Sequence, residues 1–124
     1  VNLIEISKKI SFGELKIIPI PIKHNNDTIL GYRINNLAYI TDCSFIPESS
    51  YKLLEGIEVL ILDALRYKKH PKHFNIEQAI EVIQKIGVKQ AYLTHISHEI
   101  EHNEADNKLP DGINLAYDNL KIKL

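Results

Sequence analysis

The chain has 124 residues, 44% of them hydrophobic and 25% charged, with a formal net charge of −1 at pH 7. That length suits one domain with a single core, and the near-neutral charge argues against a dedicated nucleic-acid surface. No apolar run approaches the roughly 20 residues needed to span a bilayer, no signal-peptide pattern opens the chain, and the lone Cys43 excludes an internal disulfide, so a cytoplasmic location without membrane contact is expected.

The sequence starts at Val1 directly in strand-like residues, which suggests a missing N-terminal portion. Leu3 to Ile10 alternates with a rough period of two, the pattern of a half-buried strand. A turn is expected at Ser11-Phe12-Gly13. Leu15 to Ile22 is β-branched and apolar, but Pro19 and Pro21 cannot donate to a ladder and point to an edge or bulged strand. After the polar loop His24-Asn25-Asn26-Asp27, Thr28 to Ile34 and Leu37 to Thr41 flank Asn35-Asn36 as a hairpin.

Pro47 to Leu54 reads as a short helix with Gly56 beyond its end. Val59 to Leu62 is uniformly apolar, as in a strand covered on both faces, and stops at Asp63. Ala64 to Phe74 is a loop carrying Arg66, Lys68, Lys69, His70, Lys72 and His73. Asn75 caps a helix over Ile76 to Ile86, whose stripe is Ile76, Ala79, Ile80, Ile83 and Ile86, and Gly87 stops it. Val88 to Leu93 is the next strand. Leu109 to Gly112 turns the chain into a closing hairpin of Ile113 to Tyr117 and Leu120 to Leu124 across Asp118-Asn119. With no internal repeat or linker, residues 1–124 form one unit, an α/β (α+β) mixed sheet with helices on one face.

Three of the six histidines lie between Leu93 and His102. If Ile96 to Asn103 is helical, His95, His98 and His102 share one face. If a loop follows the strand, only His95 is fixed. His24, Asp42, Asp63 and His95 all stand where apolar runs end, and strand ends on one rim aim side chains at a common site. His24, Asp42 and His95 suit borderline metals. Caps and turns account for Asp42 and Asp63 equally simply.

Several ordered segments together carry a resemblance. They are Tyr39-Ile40-Thr41-Asp42-Cys43-Ser44, Val59 to Arg66, His70-Pro71-Lys72-His73-Phe74, Leu93 to His98, and Leu109-Pro110-Asp111-Gly112 with Ala116-Tyr117-Asp118. From about Leu15 to Leu124 the chain resembles the metallo-β-lactamase-fold hydrolases, in the branch similar to phosphoribosyl cyclic phosphodiesterase. The resemblance implies an αββα sandwich with a two-metal site on one rim, holding zinc or manganese. It implies His24, Asp42 and His95 as metal ligands, with Asp42 bridging, His73 as the general acid near the substrate phosphate, and His98 and Asp63 as supporting residues. The family's His-x-His-x-Asp-His motif does not occur in these residues, so the chain resembles the C-terminal half of such a domain, and by itself it is expected to be inactive.

The implied substrate is a small (cyclic) phosphodiester. A ribonuclease Z-like nuclease is the alternative within the superfamily, although no RNA-binding arm is visible. A third reading is an inactive half-domain that associates with itself or another chain, and a homo-oligomer is expected. Cys43 reads as a small buried thiol, His70 as a solvated loop residue, and His102, among Glu99, Glu101 and Glu104, as an exposed surface residue. The cationic cluster at Arg66, Lys68, Lys69 and Lys72 either draws in an anionic phosphate or is simply solvated.

Overall fold

The computed structural model describes Val1 and residues 3–124. Seven strands form a single sheet in chain order: β1 (Ile10–Phe12), β2 (Leu15–His24), β3 (Asp27–Ile34), β4 (Leu37–Ile40), β5 (Val59–Asp63), β6 (Gln90–Thr94) and β7 (Ile113–Leu115). Neighbours from β1 to β4 pair antiparallel, and those from β4 to β7 pair parallel. Helix α1 (Glu48–Tyr51), extended by a 3-10 turn at Lys52–Leu54, fills the first parallel crossover, α2 (Ile76–Ile86) the second and α3 (His102–Lys108) the third.

Successive right-handed crossovers in one direction along a sheet put their helices on the same face. The register agrees. Ala38, Leu60, Ala91 and Ile113 form one row across four strands, and Ile40, Leu62, Leu93 and Leu115 the next. Every one of these side chains is buried and belongs to the same apolar cluster as Leu54, Ala79, Ile83 and Ala105 of the helical layer. The opposite face carries Leu30, Tyr32, Tyr39, Ile61 and Tyr92, all half-exposed or exposed. In an αββα sandwich this is the face that meets the second sheet.

Helix α2 has the bounds its periodicity predicts. The Asn75 side chain accepts the Gln78 N–H while Gln78 Oε1 accepts the Asn75 N–H, and Gly87 closes the helix at φ 75°. The β3–β4 hairpin also follows the sequence, with Asn35 at φ 51°.

The proline-containing strand is not an edge strand along its whole length, because β2 lies between β1 and β3. Lys23 turns its N–H and C=O away from β3 to bond Phe45 and Ser44. Pro19 and Pro21 share that parity, so their missing N–H groups cost the β2–β3 ladder nothing. The prolines do cut β1 short. The register Ile10↔Ile17 and Phe12↔Leu15 would place residues 8 and 6 opposite Pro19 and Pro21, which offer no donor. The strand predicted over Leu3 to Ile10 is therefore only Ile10–Phe12, and Leu3 and Ile4 are 95% and 81% exposed.

The closing hairpin is also corrected. The turn forms, with Leu120 N–H bonded to Tyr117 O and Asn119 at φ 66°, but no return strand follows. The outward donors of β7 are already used, Ile113 N–H by Pro110 O and Leu115 N–H by Asp106 Oδ1. A strand cannot add to an edge without free donors. The helix considered over Ile96 to Asn103 is absent too. Turns occupy that stretch, and α3 begins only at His102, its first N–H groups capped by Glu101. No helix among the described residues is long and apolar enough to cross a membrane.

Candidate active site

Strand direction gathers the polar strand ends. β4, β5 and β6 run parallel, and two antiparallel steps make β2 parallel to β4. The carboxyl ends of all four strands therefore share one rim. His24 is the last residue of β2 and Asp63 the last of β5, while Asp42 lies two residues past β4 and His95 directly follows β6. His73 arrives from the loop between β5 and α2, because Phe74 N–H donates to Cys43 O at 2.7 Å and Leu65 N–H to Phe74 O at 2.9 Å.

The imidazoles cluster around His73 on this rim, stacked on His95, edge-on to His24 and tilted against His70. The His73 ring lies 4.8 Å from His95, 5.0 Å from His24 and 5.0 Å from His70, centroid to centroid. Asp42 Oδ1 stands 3.6 Å from His95 Nε2 and 4.0 Å from His73 Nδ1. Asp42 and His95 have φ of 54° and 63°, left-handed conformations that Asp and His adopt more readily than most residues and that cluster at functional sites.

Hydrogen bonds fix which nitrogen each ring presents. His24 Nδ1–H donates to the Asp42 carbonyl at 2.9 Å, leaving Nε2 as the free lone pair. His73 Nδ1–H donates to Asp63 Oδ2 at 2.9 Å, so its Nε2 faces outward. Oδ2 of Asp63 also accepts the Cys43 N–H at 2.8 Å. Asp63 is fully buried, and its Oδ1 has no hydrogen-bond partner among the described residues. Burial raises the Asp63 carboxyl above the usual carboxylate range, against the opposing pull of the His73 and Cys43 hydrogen bonds. Burial likewise pushes the Cys43 thiol up to about 12, and its Sγ–H is directed at Phe45 O. Cys43 therefore packs as a small apolar side chain.

Single donor atoms of His24, Asp42 and His73 lie within 4.8 Å of one another, as do those of Asp63, His73 and His95. Imidazole nitrogen and carboxylate oxygen suit a divalent ion, and rings held through Nδ1 by a carbonyl or carboxylate are the usual support for metal-binding histidines. The chemistry of the donor set thus fits a metal. His73 is the member common to both groups, whereas His24, Asp42 and His95 do not form such a trio by themselves among the described residues. His98 is exposed and takes part in neither group. His102 reaches the Ala116 carbonyl, at 3.4 Å, and the edge of the Tyr117 ring, outside both groups. His70, read from the sequence as a solvated loop residue, is half-buried against His73. Its three-residue spacing from His73 around Pro71 was the available signal.

A mixed sheet thus gathers histidines and aspartates at its carboxyl rim, a donor set suited to a divalent ion. The sequence profile of the "Beta-lactamase superfamily domain" matches residues 1–96, and the chain belongs to this family, in its metallo-β-lactamase fold. A solved diphosphatase of the PhnP family is 42% identical and superposes with a TM-score of 0.91 over 94% of this chain and 46% of its own. YhfI from Bacillus subtilis, a metallo-β-lactamase-fold protein, is 21% identical with a TM-score of 0.73, covering 91% of this chain and 51% of its own. The short form of human tRNase Z is 18% identical with a TM-score of 0.72, covering 92% and 44%. These two show the fold. An octanoyltransferase from Porphyromonas gingivalis is 36% identical over 97% of this chain, which spans 25% of that protein's length. The chain thus spans about half the length of the solved structures it matches.

Proposed function

We propose that the protein is a metal-dependent hydrolase that cleaves a phosphodiester or phosphoanhydride bond in a small phosphate substrate. The observation that carries this reading is the buried Asp63–His73 pair, set among metal-competent groups at the rim. The 42% identity to a PhnP-family diphosphatase supports the phosphate class.

Of the rim groups, His24, Asp42 and His95 would hold the metal, zinc or manganese. When bound, the metal supplies positive charge against the phosphoryl oxygens and activates water. The chain's own residues orient and move the proton. Asp63 accepts the Nδ1 proton of His73 and offsets the charge of its imidazolium form, so Nε2–H points outward as a proton donor. The Asp42 carbonyl fixes the His24 ring in the same manner. A water oxygen bonds to phosphorus, the P–O bond to the leaving group breaks with its electron pair on the leaving oxygen, and His73 protonates that oxygen. The proton lost by water passes to solvent, and solvent reprotonates His73.

The test is hydrolysis of bis-p-nitrophenyl phosphate by the full-length protein with manganese or zinc added to metal-free enzyme. Metal-stimulated turnover that falls at least about 100-fold in Asp42→Ala is expected, the scale of losing a first-rank catalytic contribution. No metal stimulation, or unchanged turnover in Asp42→Ala, would reject the reading.

A further inference from the structure

His24 stands at the carboxyl end of β2, where one edge of that strand has no strand beside it. β1 pairs with β2 only over Leu15 to Ile17, short of Pro19 and Pro21. Further along, the connection that follows β4 holds this edge instead. Ser50 Oγ–H donates to Pro21 O at 2.5 Å, Lys23 N–H to Phe45 O at 2.9 Å, and Ser44 N–H to Lys23 O at 2.8 Å. Pro21, Lys23 and Asn25 are alternate residues, so their backbone groups face the same edge.

The last rung is made by a side chain. Asn25 N–H donates to Ser44 Oγ at 2.9 Å, and Ser44 Oγ–H is directed at Lys23 O at 3.2 Å. One half-buried hydroxyl therefore grips the backbone on both sides of His24. Asn25 is itself left-handed, at φ 56°, where the chain turns back into β3. The same connection holds the ring, because His24 Nδ1–H donates to Asp42 O at 2.9 Å. That bond sets the rotation of the imidazole. The Ser44 bonds set the backbone from which the side chain departs.

Resting on the reading that His24 is a metal donor, we propose that Ser44 is a positioning residue whose hydroxyl holds the end of β2 so that His24 Nε2 meets the ion together with Asp42. Without the hydroxyl, Lys23 keeps its bonds to Ser44 N–H and Phe45 O, and the exposed Asn25 N–H turns to water. The strand stays attached. The loss falls on the preset place of His24, and outer contacts of this kind are worth about 10–100-fold in metal affinity.

Manganese binding to the metal-free full-length protein, followed by competition with a fluorescent chelator, tests this. Affinity should fall about tenfold or more in Ser44→Ala, with the unfolding midpoint of the metal-free protein little changed, and Ser44→Thr should restore most of it. Unchanged affinity in Ser44→Ala overturns the proposal. So does a Ser44→Thr variant that binds as weakly as Ser44→Ala, or a loss of affinity matched by a large loss of metal-free stability. If Ser44→Ala does not fold, Ser44→Cys replaces it, keeping the shape but only a weak donor and acceptor. In a second measurement, Ser44→Ala is made in a His24→Ala background, where it should lower manganese affinity little further, because the hydroxyl acts through His24. An undiminished loss there overturns the proposal. Neither measurement needs turnover, so Ser44-dependent manganese binding in a protein that hydrolyses no phosphodiester supports the positioning role and rejects only the hydrolytic reading.

Discussion

Asp63→Asn isolates the role of the buried carboxylate. The side chain is fully buried, and its Oδ2 accepts from Cys43 N–H at 2.8 Å and His73 Nδ1–H at 2.9 Å. An asparagine has nearly the same shape but only one oxygen, and it cannot offset an imidazolium. Hydrogen bonds to a charged acceptor contribute about 1.5–3 kcal/mol each, and an orphaned buried donor costs about 1–3 kcal/mol. The amide oxygen can take the place of Oδ2 and keep both bonds at neutral-acceptor strength, while Nδ2 replaces the unpartnered Oδ1 as an orphaned buried donor, so a net loss of about 1–3 kcal/mol is expected in urea titrations. The catalytic loss should be larger relative to binding, because His73 keeps a neutral acceptor but loses its charge partner. A fall of about 10²-fold or more in kcat with little change in KM is expected, within the range general acids contribute. A folded Asp63→Asn enzyme with wild-type kcat would refute the assignment of His73 and Asp63 as the proton-delivering pair. The pH dependence gives a second check. Burial raises the Asp63 carboxyl, so the stability it contributes is complete below the unfolded carboxyl value of about 3.9 and is lost as pH rises through the folded value. The wild-type advantage over Asp63→Asn should therefore shrink from strongly acidic toward mildly acidic pH. An advantage that grows over that range would show that the hydrogen bonds outweigh desolvation.

Two further outcomes test the packing. The Cys43 thiol, held up to about 12 by burial, should resist iodoacetamide at pH 8 in the native protein and react once urea unfolds it. Rapid native-state labelling would contradict its enclosure. Gly112 has φ 84°, and a Cβ there would collide with the Lys89 carbonyl oxygen, so Gly112→Ala should lower stability by about 1–3 kcal/mol in thermal or urea melts. A variant as stable as wild type would show that the β6–β7 connection is free to shift.

The elements legible in the sequence were those specified by neighbouring residues. Helix α2 carries its own cap, stripe and stop within Asn75 to Gly87, and the β3–β4 hairpin carries its turn in Asn35-Asn36. The strand-end positions of His24, Asp42, Asp63 and His95 were legible for the same reason, since each follows directly from the end of an apolar run. The elements misjudged were those set by partners distant in the chain. β1 stops where Pro19 and Pro21 withhold donors from the facing strand. The tail after Leu115 forms no strand because Asp106, from a helix the periodicity did not reveal, has taken the edge N–H.

The sequence by itself determined the local vocabulary of this protein and the residue types of its site, because capping, periodicity and strand termination act over a few residues. Only the tertiary structure decided which groups meet. It set His70 against His73, paired the Asp63 carboxylate with His73 through Oδ2, and left Arg66 Nε without a partner among the described residues. The physical reason is that strand direction fixes which ends share a rim, while a loop bond such as Phe74 N–H to Cys43 O fixes how a side chain reaches it. Neither is written in the spacing of residues along the chain.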